Sequence, residues 1–217
     1  MATTAADETT LHLPTTPRSM RDSAVRQRRR EMLEMPQIAP LTILVEQLRL
    51  RNDAEYPYFD PLDGGIDASL LFLFEKPGPM TARRDNPKAS GFISRDNDDP
   101  TAEATFSFMQ QAGIPRAETV LWNVIPGWNG TRKITSSELV NGVRDFDKLL
   151  PLLRRLRGVV LVGRSAARAG PLINSLPVFV SDHPSPLVRA RYPERWRRIP
   201  EKWAEAATSV GMIRRLS

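Results

Sequence analysis

Five consecutive residues, His183-Pro184-Ser185-Pro186-Leu187, put an imidazole, a hydroxyl and a bare leucine on one short stretch of chain. His183 is one of only two histidines; His12 is the other. Pro184 and Pro186 fix their own φ angles and push the residue before each away from helix, so the stretch reads as a stiff loop. It follows an apolar run over 176–180 that reads as a buried strand. In an open α/β sheet, the C-terminal ends of strands are where ligands bind. A satisfied histidine in an ordinary proline-rich turn is the competing reading of these five residues alone. Two other strand ends carry chemistry. Phe74-Glu75-Lys76-Pro77-Gly78-Pro79 offers a carboxylate, an ammonium and backbone amides, and Asn123 offers a carboxamide that both donates and accepts.

The elements that must position these groups follow a βα rhythm. Continuous apolar runs over 69–74, 120–125, 159–162 and 177–180 have the pattern of strands buried on both faces. Between them the chain predicts helices. Asp99 caps one that opens with Pro100 and ends near Gly113. Thr135 and Glu138 form a capping box for a second, reaching about Arg157. A short helix is expected over 164–174 and a last one over 193–208. The expected fold class is α/β: a three-layer α/β/α arrangement with a central four-stranded parallel sheet. Residues 1–20, rich in Thr, Pro and Ala, read as a disordered tail. Residues 21–67 read as a helical and irregular segment packed on the domain, broken at Pro36 and Pro40, with Arg28-Arg29-Arg30 as a solvated face. Residues 68–217 read as the α/β domain.

Composition narrows the chemistry. A chain of 217 residues favours one domain with a sizeable core. It has no cysteine, which excludes disulfides and thiolate-held zinc or iron–sulfur clusters, and a total of two histidines argues against a protein-only metal site. The expectation is no metal and no cofactor. No apolar run reaches the roughly 18 residues of a membrane span, and the first residues carry no apolar signal core. A cytoplasmic monomer without membrane attachment is expected, nucleoid-associated if bacterial. Net charge is +6, and 13 of the Lys and Arg against 4 of the Asp and Glu lie in residues 151–217. A basic last third on a balanced body suggests a polyanionic partner on one face.

On these residues the chain resembles the uracil-DNA glycosylase superfamily. His183 to Leu187 matches that family's second signature motif residue for residue, and Phe74 to Pro79 is similar to a divergent first motif. Asn123 in Leu121-Trp122-Asn123-Val124 and Phe92 in Ser90-Gly91-Phe92 stand where the family places an asparagine and a base-stacking phenylalanine. The resemblance spans about 68–207.

It implies an enzyme that flips uracil out of DNA and hydrolyses its N-glycosidic bond, leaving an abasic site. Phe92 would stack on the flipped base, of order 1–3 kcal/mol. Uracil's Watson–Crick edge presents the O4 acceptor and the N3–H donor. The Asn123 carboxamide would match both and reject cytosine, whose edge is reversed. Bond cleavage leaves negative charge on the base. His183 and the backbone amides of the first motif, around Lys76, Pro77 and Gly78, would receive it as an oxyanion hole does. Pro184, Ser185, Pro186 and Leu187 would face the DNA, with Ser185 on a phosphate and Leu187 as a wedge in the vacated stack. Arg189 and Arg191, with Arg195, Arg197 and Arg198, would lie along the phosphates. The chain departs from the family at Lys76, where a water-activating Asp or Asn, or an Ala, is usual. A lysine acts as base only if burial lowers its pKa strongly. Glu75 is the alternative carboxylate, with Asp85, Asp96 and Asp98 as further candidates. A glycosylase for hypoxanthine or xanthine, or a non-catalytic lesion-binding module of the same fold, are the competing functions.

Overall fold

The computed structural model describes residues 15–213 apart from 52, 85, 174 and 175. His12, Asp85 and most of the expected tail therefore lie outside the described residues. Among the described residues, six strands run over Tyr58–Phe59 (β1), Leu70–Phe74 (β2), Phe92–Ile93 (β3), Thr119–Asn123 (β4), Gly158–Val162 (β5) and Val178–Ser181 (β6). The helices are Ser23–Glu31 (α1), Ala39–Arg49 (α2), Pro100–Gln111 (α3), Ser136–Leu149 (α4), Arg164–Ala167 (α5), Pro186–Arg191 (α6), Pro193–Arg197 (α7) and Ile199–Ser209 (α8).

Four strands make one parallel sheet in the order β4-β2-β5-β6, as expected. Every residue of β2, β4 and β5 is buried, which is why these strands read as unbroken apolar runs. Parallel neighbours need crossover connections, and these are right-handed almost without exception. The chain steps from β2 to β4 on one side, then back across β2 to β5 and β6. That reversal places α3 on one face and α4 and α5 on the other. α8 packs against α3 and completes the first face. The layers are stapled by aromatic contacts: Phe72 of β2 meets Trp203 of α8 edge-on at 5.0 Å, and Phe59 stacks on Trp122 at 3.8 Å.

The switch in strand order falls at β2, so a crevice opens beyond its C-terminal end. Asn123 ends β4, and Glu75, Gly163 and His183 follow the ends of β2, β5 and β6, in that spatial order.

Several boundaries differ from the sequence expectation. The folded body begins before residue 21: Met20 is wholly buried and Arg18 pairs with Asp98 and Glu103. α4 stops at Leu149 because Pro151 follows, and a 3-10 turn over Leu150–Leu152 replaces its last turns. The expected last helix is two, since Pro200 restarts the chain as α8. Arg29, expected on a solvated face, is wholly buried in ion pairs with Asp60 and Asp96.

Candidate active site

The crevice is a cleft of about 960 Å³. Its floor is built from the four strand ends and its rim from α6 and the start of α7. Among the sequence-predicted residues, Glu75, Lys76, Pro77, Gly78, Asn123, His183, Ser185, Pro186 and Leu187 line it together.

Asn123 closes β4 beside Phe74 of β2, and the ladder continues as Val124 N–H donates to Phe74 O at 2.8 Å. This holds the carboxamide in the cleft wall. Asn123 is buried, and its Oδ1 has no hydrogen-bond partner. A buried acceptor left unpaired is costly, so such a group calls for a partner the protein itself does not supply.

Glu75 leaves β2 and accepts a hydrogen bond at Oε1 from the Ser165 backbone N–H, 2.7 Å away, in the first turn of α5. Gly163 makes this approach possible. Its φ is +101°, and a Cβ there would stand 2.7 Å from Oε1 of Glu75. One carboxylate oxygen is thus fixed by the backbone of the next strand end.

His183 meets the edge of Phe74 at 5.8 Å, with the rings at 83°. Burial pushes its pKa below the ordinary value, and the nearby Glu75 charge opposes that shift without reversing it. The imidazole is therefore neutral at pH 7 and carries one N–H to donate. Gly78 has open space where a Cβ would stand, so a ligand can reach the backbone of the first motif there.

The loop at His183 is shorter than the sequence suggests. Ser185 caps α6, accepting from Val188 N–H at 3.4 Å, and Pro186 opens that helix. The cap uses an acceptor lone pair of Ser185 and leaves its O–H free to donate. Leu187 stands on the first turn and is 67% exposed. Pro184 is buried. Arg189 and Arg191 are exposed and do not line the cleft; Arg189 lies 6.0 Å over the Trp196 ring.

Two assignments need correction. Phe92 does not face the cleft. It is wholly buried among Met20, Val25 and Tyr58 on the far side of β3, and its neighbour Ile93 lines the cleft instead. Successive residues of a strand point to opposite faces, so a one-residue difference moves a side chain from site to core. Lys76 is not a free cation either. Its ammonium donates to Asn129 Oδ1 at 2.8 Å, Lys133 O at 3.1 Å and Glu138 Oε1 at 2.6 Å, which uses all three of its donors. Burial tends to raise the Glu138 pKa, but hydrogen bonds from Lys76 and Thr135 outweigh it and hold the carboxyl below its usual range. Lys76 thereby latches the capping box of α4 to the end of β2, an arrangement with no role as a general base.

The alternative carboxylates also sort themselves. Asp96 is buried between Arg29 and Arg116, and Asp98 pairs with Arg18 and Arg21; neither lines the cleft. Glu75 remains, with Asp99 and Asp182. Asp99 caps α3, and Asp182 is paired with Arg195 and with Lys202 at 3.4 Å. The structure adds residues that sequence reasoning missed. Asn97 lines the wall, donates from Nδ2 to Phe92 O at 2.9 Å, and has a buried, unpartnered Oδ1. Tyr192, 46% exposed, joins Leu187 on the rim. Among the described residues no cluster of three metal-ligating side chains occurs, and no helix is long and apolar enough to cross a membrane.

Comparison with known proteins places the cleft in a family. No curated protein matches the chain. Among solved structures, the solution NMR structure of a candidate uracil DNA glycosylase from Methanosarcina acetivorans is similar at 17% identity, covering 69% of this chain and 94% of that one with a TM-score of 0.41. The family model of the uracil DNA glycosylase superfamily matches residues 64–205, a stretch that holds every strand of the main sheet and every residue of the cleft floor. The chain belongs to the uracil DNA glycosylase superfamily, a family of DNA glycosylases.

Proposed function

We propose that this protein excises uracil from DNA by hydrolysing the N-glycosidic bond of a flipped nucleotide. The observation that carries the reading is the Asn123 carboxamide, buried in the cleft wall with its Oδ1 unpartnered. Such a group accepts from uracil N3–H and donates to O4 from Nδ2. As the bond breaks, negative charge develops on the base. The neutral His183 donates its N–H toward O2, and the N–H of half-buried Gly78, between two prolines that have none, adds a backbone donor. Positive charge develops on the sugar. Glu75 lies close enough to His183 to influence its charge state, and it has a second oxygen free to orient a water or face the cationic sugar. Leu187 and Tyr192 present apolar surface on the rim, suited to fill the gap that a flipped base leaves in the stack.

The decisive experiment incubates the protein with single- and double-stranded oligonucleotides carrying uracil, hypoxanthine or xanthine, followed by alkaline cleavage of abasic sites. Cleavage confined to uracil supports the reading. The xanthine arm is included because Asn97 offers a second buried acceptor, which suits a base with a further N–H donor, and the hypoxanthine arm because that base presents the same N–H beside a carbonyl as uracil. Absence of any abasic product leaves the lesion-binding alternative.

Two substitutions test the roles. Asn123→Asp replaces the donating amide with an acceptor that repels O4. Uracil excision should fall by about tenfold to a hundredfold, roughly one lost hydrogen bond and one new repulsion. Normal single-turnover rates for both Asn123→Asp and Asn123→Ala would make Asn123 structural. Glu75→Gln keeps the hydrogen bond from Ser165 but removes the charge. It should lower the single-turnover rate by on the order of tenfold or more while leaving DNA affinity unchanged, because the carboxylate acts only when the sugar becomes cationic. A normal rate would remove Glu75 from the chemistry.

A further inference from the structure

α1 turns two faces to different tasks. Val25 and Arg29, four residues apart, are buried against the domain. Arg26 and Arg30, also four apart, share a neighbouring face and stay partly exposed. Arg30 Nη2 donates to Ser90 O at 3.3 Å, which ties α1 to the loop over 82–90. Arg83 on that loop completes the group. Burial lowers the Arg30 pKa, and the charges of Arg83 and Arg26 lower it further, so Arg30 lies within electrostatic reach of both.

Their hydrogen-bond partners are neutral. Arg26 donates to the carbonyls of Met20 and Arg21, and Arg30 to Gln27 and Ser90. Among the described residues none of the three forms an ion pair. The group is also held in place. The Glu55 carboxylate accepts from the backbone N–H groups of Arg83 and Arg84, fixing the loop. Gly91, at φ +84°, lets the stem of Arg83 lie across it; a Cβ would stand 3.2 Å from Arg83 Cδ. Like charges placed together repel, and an anion shared between their side chains lowers the repulsion.

Position identifies that anion. Met80 and Thr81 line the cleft, and Arg83 is three residues beyond Met80, at most about 10 Å of chain away. Exposed Arg84 and Lys88 lie on the same loop. Arg83 thus stands between the cleft rim and Arg30 and Arg26 of α1, an arrangement that suits a linear polyanion leaving the cleft.

We propose that Arg26, Arg30 and Arg83 form a second phosphate-binding strip that holds the nucleic-acid backbone where it leaves the cleft. This rests on the reading of the cleft as a DNA site. Arg26 and Arg30 lie before residue 64, outside the stretch that the family model matches.

The test measures binding of an undamaged 25-base-pair duplex across a salt series, so it does not depend on catalysis. The Arg26→Ala, Arg30→Ala, Arg83→Ala variant should lower the slope of log affinity against log salt by about 2 to 3, near 0.9 for each phosphate that is no longer neutralised. A charge-matched control replaces Lys148, Arg154 and Arg155 with alanine. These residues lie between the last turn of α4 and the start of β5, at the end of the sheet opposite the cleft, and their removal should leave the slope unchanged. Arg83→Ala alone, on an exposed loop, should lower it by about 1 and serves if the triple variant melts early. An unchanged slope, or equal changes in variant and control, overturns the proposal. So does loss of binding to anionic phospholipid vesicles with an unchanged DNA slope. The two readings fail separately. A wild-type slope in the triple variant, alongside active uracil excision, refutes the strip alone. A reduced slope in a protein that excises no base refutes the excision reading alone.

Discussion

Replacing His183 with alanine should slow single-turnover uracil excision by two to three orders of magnitude, about 2.7–4 kcal/mol of transition-state stabilisation, the value of one oxyanion-hole donor. The expectation follows from where the imidazole sits. Edge contact with Phe74 holds the ring at the end of β6, in the cleft that Asn123 and Glu75 also line. Burial keeps it neutral, so it donates a hydrogen bond rather than a proton. That has a consequence in pH. A neutral donor does not need acid, so the rate should stay level as pH falls from 8 to below 6.5. An imidazolium mechanism would instead give a rate that climbs on acidification. Stability should move the other way. Below pH 6.5 the unfolded chain takes up a proton that the folded chain resists, so folding weakens as pH drops through the window between the two pKa values. His183→Ala should lose that part of the acid sensitivity. A variant with near wild-type rates would remove His183 from the mechanism.

The main sheet and the helices that flank it were legible because local pattern and burial coincide there. The runs 69–74 and 159–162 are apolar on both faces since β2 and β5 are the two central strands, paired on both sides. The cap at Asp99 and the capping box at Thr135 and Glu138 were legible because those interactions span only three residues. The cleft was legible at the strand ends for the same reason: topology alone brings them together. What was hidden depends on the exact rotation of a side chain or on distant partners. Phe92 and Ile93 are both apolar neighbours on a two-residue strand, and nothing local says which one turns toward the cleft. Nothing next to Lys76 in the chain announces its partners: the loop 129–133 and α4 fold over it from more than fifty residues away. Arg29 has the same sequence surroundings as Arg28 and Arg30, yet it is the one that faces inward, because α1 carries Val25 and Arg29 on its packed side. Asn97 and Tyr192 carried no signal at all; their place in the cleft comes from how the chain winds after β3 and between α6 and α7.

The second large effect concerns stability. Asp60→Ala should destabilise the fold by about 3–5 kcal/mol, the cost of stripping one partner from a buried ion network. The network holds three arginines and three aspartates. Asp60 receives Arg29 at one oxygen and Arg116 at the other, the latter at 2.6 Å, and also accepts from Ser94 and from Leu62 N–H at 3.0 Å. Arg29 continues to Asp96 at 2.6 Å, and Arg116 to Asp63 at 2.9 Å and Asp96 at 2.8 Å. Arg95 reaches Asp63 at 3.5 Å. The charges balance as they stand, and removing one carboxylate leaves an uncompensated buried cation. Burial alone would raise the Asp60 pKa, but the Arg116 and Arg29 charges outweigh it and lower it to about 2. The stability that Asp60 supplies is thus complete above about pH 4 and is lost as pH falls through the folded value. Urea titration at pH 7 should show a lower midpoint for Asp60→Ala, and the difference from wild type should shrink on acidification toward pH 2. The effect should reach the cleft as well. Ser94 and Asn97 line its wall, and Ser94 is held by Asp60. A loss under about 1 kcal/mol at pH 7 would mean that the arginines find other partners, and that the network does not hold α1 and the cleft wall together.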